Sequence, residues 1–311
     1  MNILIADEMH PSLFEMLEQH NWQYSYQPAI TRSEIIEQLS SYEGLIIRSK
    51  TPLDKPVLEK APKLIFIGRA GAGLEQIDLD EVNKRNIQLF AAPEGNRDAV
   101  GEHTLAMLLC LLNKVHIADN EVRQKIWKRE ANRGIEIKGK TIGIIGYGNM
   151  GKAFAKRLRG FECEVLTYDK YLQNYGDEFA KESTLEVIFD KTDILSLHIP
   201  LTTASRFMIN SEFINSFRKN FYLINTARGE IVKLSDLQQA IENGKISGAC
   251  LDVLENEKLH TLTPEQEILF DWLFTSEKII FTPHIAGWTQ ESYIRINEVL
   301  VEKIEKFLAK S

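Results

Sequence analysis

The stretch "TIGIIGYGNMGKAFAKRL" constrains this chain more than any other, because it writes a strand, a turn and a helix into eighteen residues. Gly146, Gly148 and Gly151 stand in Gly-x-Gly-x-x-Gly order, between an apolar run and an amphipathic segment that starts near Asn149. The glycine pattern alone is weak; a strand before it and a helix after it give it weight. Gly146 permits a tight turn, Gly148 lets a pyrophosphate approach the backbone, and Gly151 lets helix and strand pack closely. Free N–H groups at the helix start then meet the phosphates. A glycine turn of purely structural origin is the competing reading. Eighteen residues after Gly151, "EVLTYD" ends in Asp169. A carboxylate there accepts hydrogen bonds from an adenosine ribose and repels a 2′-phosphate, so NAD is expected over NADP. The adjacent Lys170 argues mildly the other way.

The rest of the chain repeats the same alternation. Apolar runs at 2–6, 44–49, 64–70 and 87–92 form one series of expected strands. A second series falls at 141–146, 164–169, 193–200, 221–227, 248–253 and 278–283. Amphipathic segments between them predict βα units and parallel sheets, an α/β fold of two Rossmann-like domains. Between the series, residues 98–127 read as one long helix. Its middle, "TLAMLLCLLNKV", is apolar nearly all round and should be buried on several sides, against a domain core or a second subunit. The segment 289–309 is an amphipathic helix expected to return the chain to the first domain.

The 311 residues suffice for two domains, and a formal charge of -7 argues against binding to nucleic acid or anionic membranes. Cys110, Cys163 and Cys250 are too few and too scattered for a disulfide framework or a zinc site, and no metal is expected. "MNILIADEMH" has no basic segment of a signal peptide, and no apolar run reaches the ~18 residues of a membrane span. A cytoplasmic location is the expectation.

Two strand ends carry candidate chemistry. "NTARGE" places Arg228 just after an apolar strand, where its guanidinium can grip a carboxylate with two parallel bonds. "FTPHIAGWT" places His284 similarly, and of the seven histidines only His198 and His284 end an apolar strand. Taken singly, His284 is more readily a satisfied structural histidine; its position and its titration near neutrality make it the best proton-exchange candidate. A second glycine-rich turn, "GRAGAG" (68–73), either exposes N–H groups to a small anion or is purely structural. "LDVLENE" adds three acids, Asp252, Glu255 and Glu257.

"GYGNMG", "NTARGE", "LDVLENE" and "TPHIAGWT" occur in the order and spacing of the D-isomer-specific 2-hydroxyacid dehydrogenases, which the chain resembles over nearly its whole length. "GLIIRSKT" is most similar to the phosphoglycerate dehydrogenase branch. The resemblance implies a catalytic trio of Arg228, Glu257 and His284, with Glu257 rather than Glu255 beside the imidazole. Glu255 is then a solvated turn acid. A neighbouring acid would raise the His284 pKa and hold a proton ready for keto acid reduction. The resemblance also implies cofactor contacts at Asn149 and Met150 beside the three glycines and Asp169. Further contacts fall on Ile199, Thr226, Ala227 and Gly287, with Asp252 at the nicotinamide carboxamide. Ala72 and Gly73 would hold the substrate carboxylate, with Arg48 and Ser49 nearby. The implied architecture has a discontinuous lid domain (1–97 and 286–311) that closes on binding, an NAD-binding domain (98–285), and a homodimer through the latter.

The chain departs from the family pattern at Glu75 and Gln76, where shorter Asp and Asn are common, and at Trp288, where a small residue is common. It also runs without the regulatory domain that follows in many relatives, so feedback by serine is not expected. The favoured substrate is 3-phosphoglycerate, oxidised to 3-phosphohydroxypyruvate for serine biosynthesis. Arg48, Lys50, or Arg129 and Arg133 reaching across a dimer would meet its phosphate. The basic run 122–140 otherwise reads as a solvated helix face. A general reductase of glyoxylate, hydroxypyruvate or a bulkier keto acid is the alternative. An NAD(H)-sensing corepressor is a third, disfavoured by the lack of disordered tails.

Overall fold

Every pairing between strands is parallel in the structure, a computed structural model that describes residues 1–310. Ser311, the last residue of the range expected for the smaller domain, lies outside the described residues. The chain forms two units, Met1–Arg97 with Trp288 onward, and Asp98–Gly287.

The first unit holds β1 (Asn2–Ile5), β2 (Gln23–Tyr26), β3 (Gly44–Ile47), β4 (Phe66–Arg69) and β5 (Gln88–Ala91), in the spatial order β2-β1-β3-β4-β5. Successive side chains on a strand face opposite ways. Leu4, Leu45, Ile47 and Ile67 thus enter one core, and Ile3, Ile5, Ile46 and Phe66 the other. Leu300, Val301 and Ile304 of the helix Gln290–Leu308 cover the second core. Thr289 and Ser292 start that helix by exchanging bonds between each hydroxyl and the other's N–H, at 3.0 and 3.1 Å. The strand β2 has no counterpart in the sequence reading. It is a half-buried edge strand, and "QYSY" offers no continuous apolar run to reveal it.

The second unit holds β6 (Thr141–Ile145), β7 (Glu164–Tyr168), β8 (Lys181–Glu182), β9 (Ile194–Leu197), β10 (Phe221–Asn225), β11 (Ile246–Leu251) and β12 (Ile279–Phe281). Their order is β12-β11-β10-β9-β6-β7-β8, so the winding reverses between β6 and β9. The exposed two-residue β8 also escaped the sequence reading. Both faces of the sheet are covered: Ile142, Ile144, Val165 and Ile224 point into one core, Ile145, Leu166, Leu197 and Leu223 into the other. That double burial explains the unbroken apolar runs.

One register row decides where the site lies. Tyr168, Ile145, Leu197, Asn225, Leu251 and Phe281 are level across six strands. The next residues, Asp169, Gly146, His198, Thr226, Asp252 and Thr282, leave the sheet at its carboxyl edge. In open parallel sheets this edge, at the reversal, is where ligands bind.

Two expectations are corrected. The segment 98–127 is not one helix but two, Pro93–Leu112 and Val115–Arg123. Lys114 between them takes a left-handed φ of 51°, a conformation that ends helices and that neither glycine nor proline announces here. The first helix is also buried along one face in its middle, not on several sides. Thr104, Met107, Leu108, Leu111 and Leu112 are buried, whereas Leu105, Leu109 and Cys110 are half-buried and Ala106 is exposed. The second unit ends at Gly287, two residues beyond the 98–285 range expected, and the Asp252 carboxylate binds the N–H groups of Ile285 and Ala286 within it.

Candidate active site

The glycine turn after β6 is shaped by backbone contact. Gly146 has φ 92°, and a Cβ there would lie 2.4 Å from the His198 carbonyl oxygen, so no other residue fits. Above Gly148 a Cβ would meet nothing within 4 Å. The helix Asn149–Arg157, which opens with Asn149 and Met150, begins there with no side-chain cap. Open space over uncapped N–H groups fits a pyrophosphate. Asp169 ties this turn to the loop after β7. Its carboxylate accepts the N–H groups of Tyr147 (2.9 Å), Tyr171 (2.9 Å) and Leu172 (3.2 Å). An ionised carboxylate has about four acceptor positions, which leaves one for a ribose hydroxyl. Ile199 follows His198 and packs toward Gly146.

His198 is not the proton exchanger. Its Nε2 sits 2.8 Å from the Ser196 hydroxyl, and desolvation pushes its pKa down to about 3. It is a neutral structural histidine, the reading first weighed for His284.

Arg228 is placed by its predecessor on the strand. Asn225, wholly buried at the end of β10, accepts the Ala227 N–H at 3.1 Å and donates to the Arg228 carbonyl at 2.9 Å. Thr226 between them puts its hydroxyl 3.3 Å from that of Thr104. The Arg228 guanidinium donates to the Ala227 carbonyl at 2.6 Å. Gly229 then lets two loops touch: a Cβ there would lie 1.8 Å from the Leu254 carbonyl oxygen and 2.7 Å from the Glu255 nitrogen. The loop bearing Arg228 is thus laid directly on the loop leading to Glu257. Glu255 is not the solvated turn acid expected. It is half-buried, and its carboxylate accepts the N–H of Leu234, the first residue of the helix Leu234–Glu242. Burial pushes its pKa up, against that bond.

His284 occupies a turn with φ 54°, a left-handed conformation that histidine adopts more readily than most residues. Its N–H donates to the carbonyls of Asp252 (2.7 Å) and Thr282 (3.0 Å). Nδ1 lies 3.0 Å from both carboxylate oxygens of Glu257. A carboxylate only accepts, so Nδ1 carries the hydrogen and Nε2 is the atom left for chemistry. The Glu257 bond raises the His284 pKa; desolvation and the nearby Arg228 charge oppose it. Arg228, Glu257 and His284 are therefore one electrostatic group. In a Glu257→Gln chain, His284 is expected to titrate at a lower pH than in the parent. The pair's contribution to stability, present below the unfolded imidazole pKa and lost as pH rises through the raised folded value, should vanish with it. Titration of the ring signals by NMR reads the first directly; an unmoved midpoint would refute the coupling.

Asp252, 1% exposed, holds this turn rather than merely ending its strand. Oδ1 accepts the Thr282 hydroxyl (2.5 Å) and the Ile285 N–H (2.9 Å), and Oδ2 accepts the Ala286 N–H (2.9 Å). Sequence reasoning missed this, and missed Asn225 and Glu255. The one available signal was the small or polar residue just after the last residue of each of the six strands in the register row. Gly287 closes the second unit just beyond.

The profile of the NAD-binding domain of the D-isomer specific 2-hydroxyacid dehydrogenases matches residues 105–286. The chain belongs to this family. NAD is the cofactor of the second unit. Curated relatives include D-3-phosphoglycerate dehydrogenases of Archaeoglobus fulgidus, 30% identical over 306 residues, and of Bacillus subtilis, 32% identical over 310. Each alignment covers 98% of this chain but 56% of the relative, so the chain spans about half the length of the curated relatives it matches. Among solved structures, the D-lactate dehydrogenase of Aquifex aeolicus, complexed with NAD and lactic acid, is 28% identical with a TM-score of 0.84. That likeness covers 100% of this chain and 96% of the other.

In the first unit, Arg48 and Ser49 follow β3, and Ala72 and Gly73 lie in the turn after β4. The Arg48 guanidinium is 4.9 Å from the ring centre of Trp288 and 4.5 Å from that of Tyr293, and it donates to the Tyr293 hydroxyl at 2.6 Å. The longer Gln76 side chain donates to the Arg48 carbonyl. The Lys50 ammonium donates to the Pro28 carbonyl at 2.7 Å. In the basic run, Arg133 pairs with Glu130 and Lys128 with Glu121, both at the surface. Among the described residues, no cluster could hold a metal and no helix is long and apolar enough to cross a membrane.

Proposed function

We propose that the chain is an NAD-dependent dehydrogenase interconverting a D-2-hydroxy acid and its 2-keto acid, with 3-phosphoglycerate as the substrate. The observation that carries the reaction is His284 Nδ1 held 3.0 Å from both Glu257 oxygens, with Arg228 beside them. When bound, NAD supplies the hydride acceptor, and NADH the donor. Arg228 grips the substrate carboxylate and polarises the adjacent carbonyl. His284 Nε2 gives a proton to the keto oxygen in reduction and takes it from the hydroxyl in oxidation. Glu257 keeps the ring oriented and favours its charged form. Asp169 holds the ribose and repels a 2′-phosphate, and the free acceptor position of Asp252 serves the nicotinamide carboxamide.

We assign substrate binding and closure to the first unit, with the carboxylate on Ala72 and Gly73. Exposed Val122 and Trp127, with the half-buried side of the helix Pro93–Leu112, support a homodimer through the second unit. A cytoplasmic role in serine biosynthesis follows from the phosphoglycerate reading, which rests on the relatives of about 30% identity and on Arg48.

The caged Arg48 favours a second reading, a reductase of unphosphorylated 2-keto acids, because its guanidinium is already engaged by Trp288 and Tyr293. Steady-state assays of an Arg48→Ala chain separate the two. If Arg48 meets a phosphate, KM for 3-phosphoglycerate should rise at least about tenfold, the scale of one charge-assisted bond. Hydroxypyruvate kinetics should stay within about twofold. Unchanged phosphoglycerate kinetics would remove the phosphate role.

A further inference from the structure

His103 lies on the helix Pro93–Leu112, a side chain that the proposed mechanism does not use. Its Nε2 is 3.0 Å from the Thr282 hydroxyl and 3.6 Å from Asp252 Oδ1. The Thr282 oxygen is only 2.5 Å from the same Oδ1, so a hydrogen must lie between those two oxygens. The hydroxyl hydrogen is therefore given to Asp252, and the Thr282 oxygen accepts from His103. That direction fixes Nε2 of His103 as a donor. The chain of bonds runs His103 to Thr282 to Asp252, and from Asp252 to the N–H groups of Ile285 and Ala286. The Asp252 carbonyl also binds the N–H of His284 itself. Three bonds of the left-handed His284 turn go to Asp252, those from the N–H groups of His284, Ile285 and Ala286, and a buried carboxylate needs such donors around it to stay where it is.

We infer that His103, acting through Thr282, is a positioning residue that fixes the Asp252 carboxylate and thereby the His284 turn against Glu257. The inference rests on the dehydrogenase reading for its kinetic consequence, though not for its structural one. The coupling spans the unit: a helix side chain 181 positions earlier in the sequence holds the ring that moves the proton.

The full chain carrying His103→Leu, His103→Gln, Thr282→Val or Thr282→Ser tests it. Gln retains an Nε donor and Ser a hydroxyl; Leu and Val remove them. In NAD-free protein, NMR titration of the His284 ring should show its raised pKa falling toward the ordinary imidazole value in the Leu and Val chains. The Gln and Ser chains should keep it. Turnover of a 2-keto acid should drop on the order of 10²-fold in the Leu and Val chains, the scale of an ångström-level misplacement. Gln and Ser should restore it to within about threefold of the parent. A folded His103→Leu chain with an unmoved His284 titration overturns the inference, as does a His103→Gln chain that titrates like His103→Leu. Should His103→Leu fail to fold, the Val and Ser pair at 282 decides by the same criterion. A parent without turnover on any hydroxy acid would sink the functional reading alone, because the NMR half still decides the positioning.

Discussion

A His284→Asn chain is expected to bind NADH as the parent does and to reduce 2-keto acids about 10²–10⁴-fold more slowly, the usual contribution of a positioned acid or base. Asparagine is chosen because it isolates the proton. The turn holds residue 284 at φ 54°, where asparagine is among the residues most at ease. Its side-chain amide can still donate toward Glu257, as Nδ1 does at 3.0 Å. What it lacks is a second nitrogen that can hand over a proton. A His284→Val chain would confuse the issue, since a β-branched side chain adds roughly 1–2 kcal/mol of backbone strain in that conformation. Stopped-flow or steady-state rates, set against NADH binding by fluorescence, separate chemistry from affinity. Parent-like turnover in His284→Asn would remove the residue from the reaction.

Gly229→Ala should be the most damaging small substitution in the chain. Its methyl would sit 1.8 Å from the Leu254 carbonyl oxygen and 2.7 Å from the Glu255 nitrogen, atoms of a backbone that cannot rotate aside. The loops must therefore separate. Overpacking of this kind costs about 1–3 kcal/mol, and a unit of this size loses roughly 2–4 °C of Tm per kcal/mol. Separation also moves Arg228 away from Glu257 and His284. Asn225 anchors the Arg228 loop on the opposite side, through Ala227 and the Arg228 carbonyl, so the strain cannot be absorbed upstream. A loss of at least about 10²-fold in kcat/KM is expected. Calorimetry and kinetics together check it; a chain with unchanged Tm and rate would show that the contact yields freely.

The sequence made some of this architecture readable and hid the rest for identifiable reasons. Strands buried on both faces, such as "TIGII", announce themselves because every position is apolar. The edge strand β2 and the two-residue β8 do not, since solvent covers them. The helix break at Lys114 depends on one dihedral that many residues can adopt. The turn at Gly146 and Gly148, and Asp169 beside it, were legible from spacing, because a strand–turn–helix unit fixes where its glycines stand. The proximity of Glu257 to His284 was legible only through resemblance, since nothing in either segment names its partner. Asp252, Asn225 and His103 show the limit most clearly. Their meaning lies in hydrogen bonds closed across the tertiary fold, and a buried polar residue at a strand end looks alike whether it binds a ligand or a loop. Glu255 misled for the same reason: an acid in a turn reads as solvated until a helix start is seen resting on it.

The register row has a consequence for how the chain reaches its working form. The row draws one residue from each of six strands, beginning at Ile145 and ending at Phe281. All its contacts are long-range in sequence, and parallel pairings of this kind form slowly, because loop closure must precede any gain from pairing. The row is complete only when β12 docks, and β12 is the strand that delivers Thr282 and His284. Secondary structure and collapse can therefore return well before the imidazole finds its carboxylate. The bond between His284 and Glu257 thus reports the docking of β12, and a chain without that strand in place would lack it however native its helices.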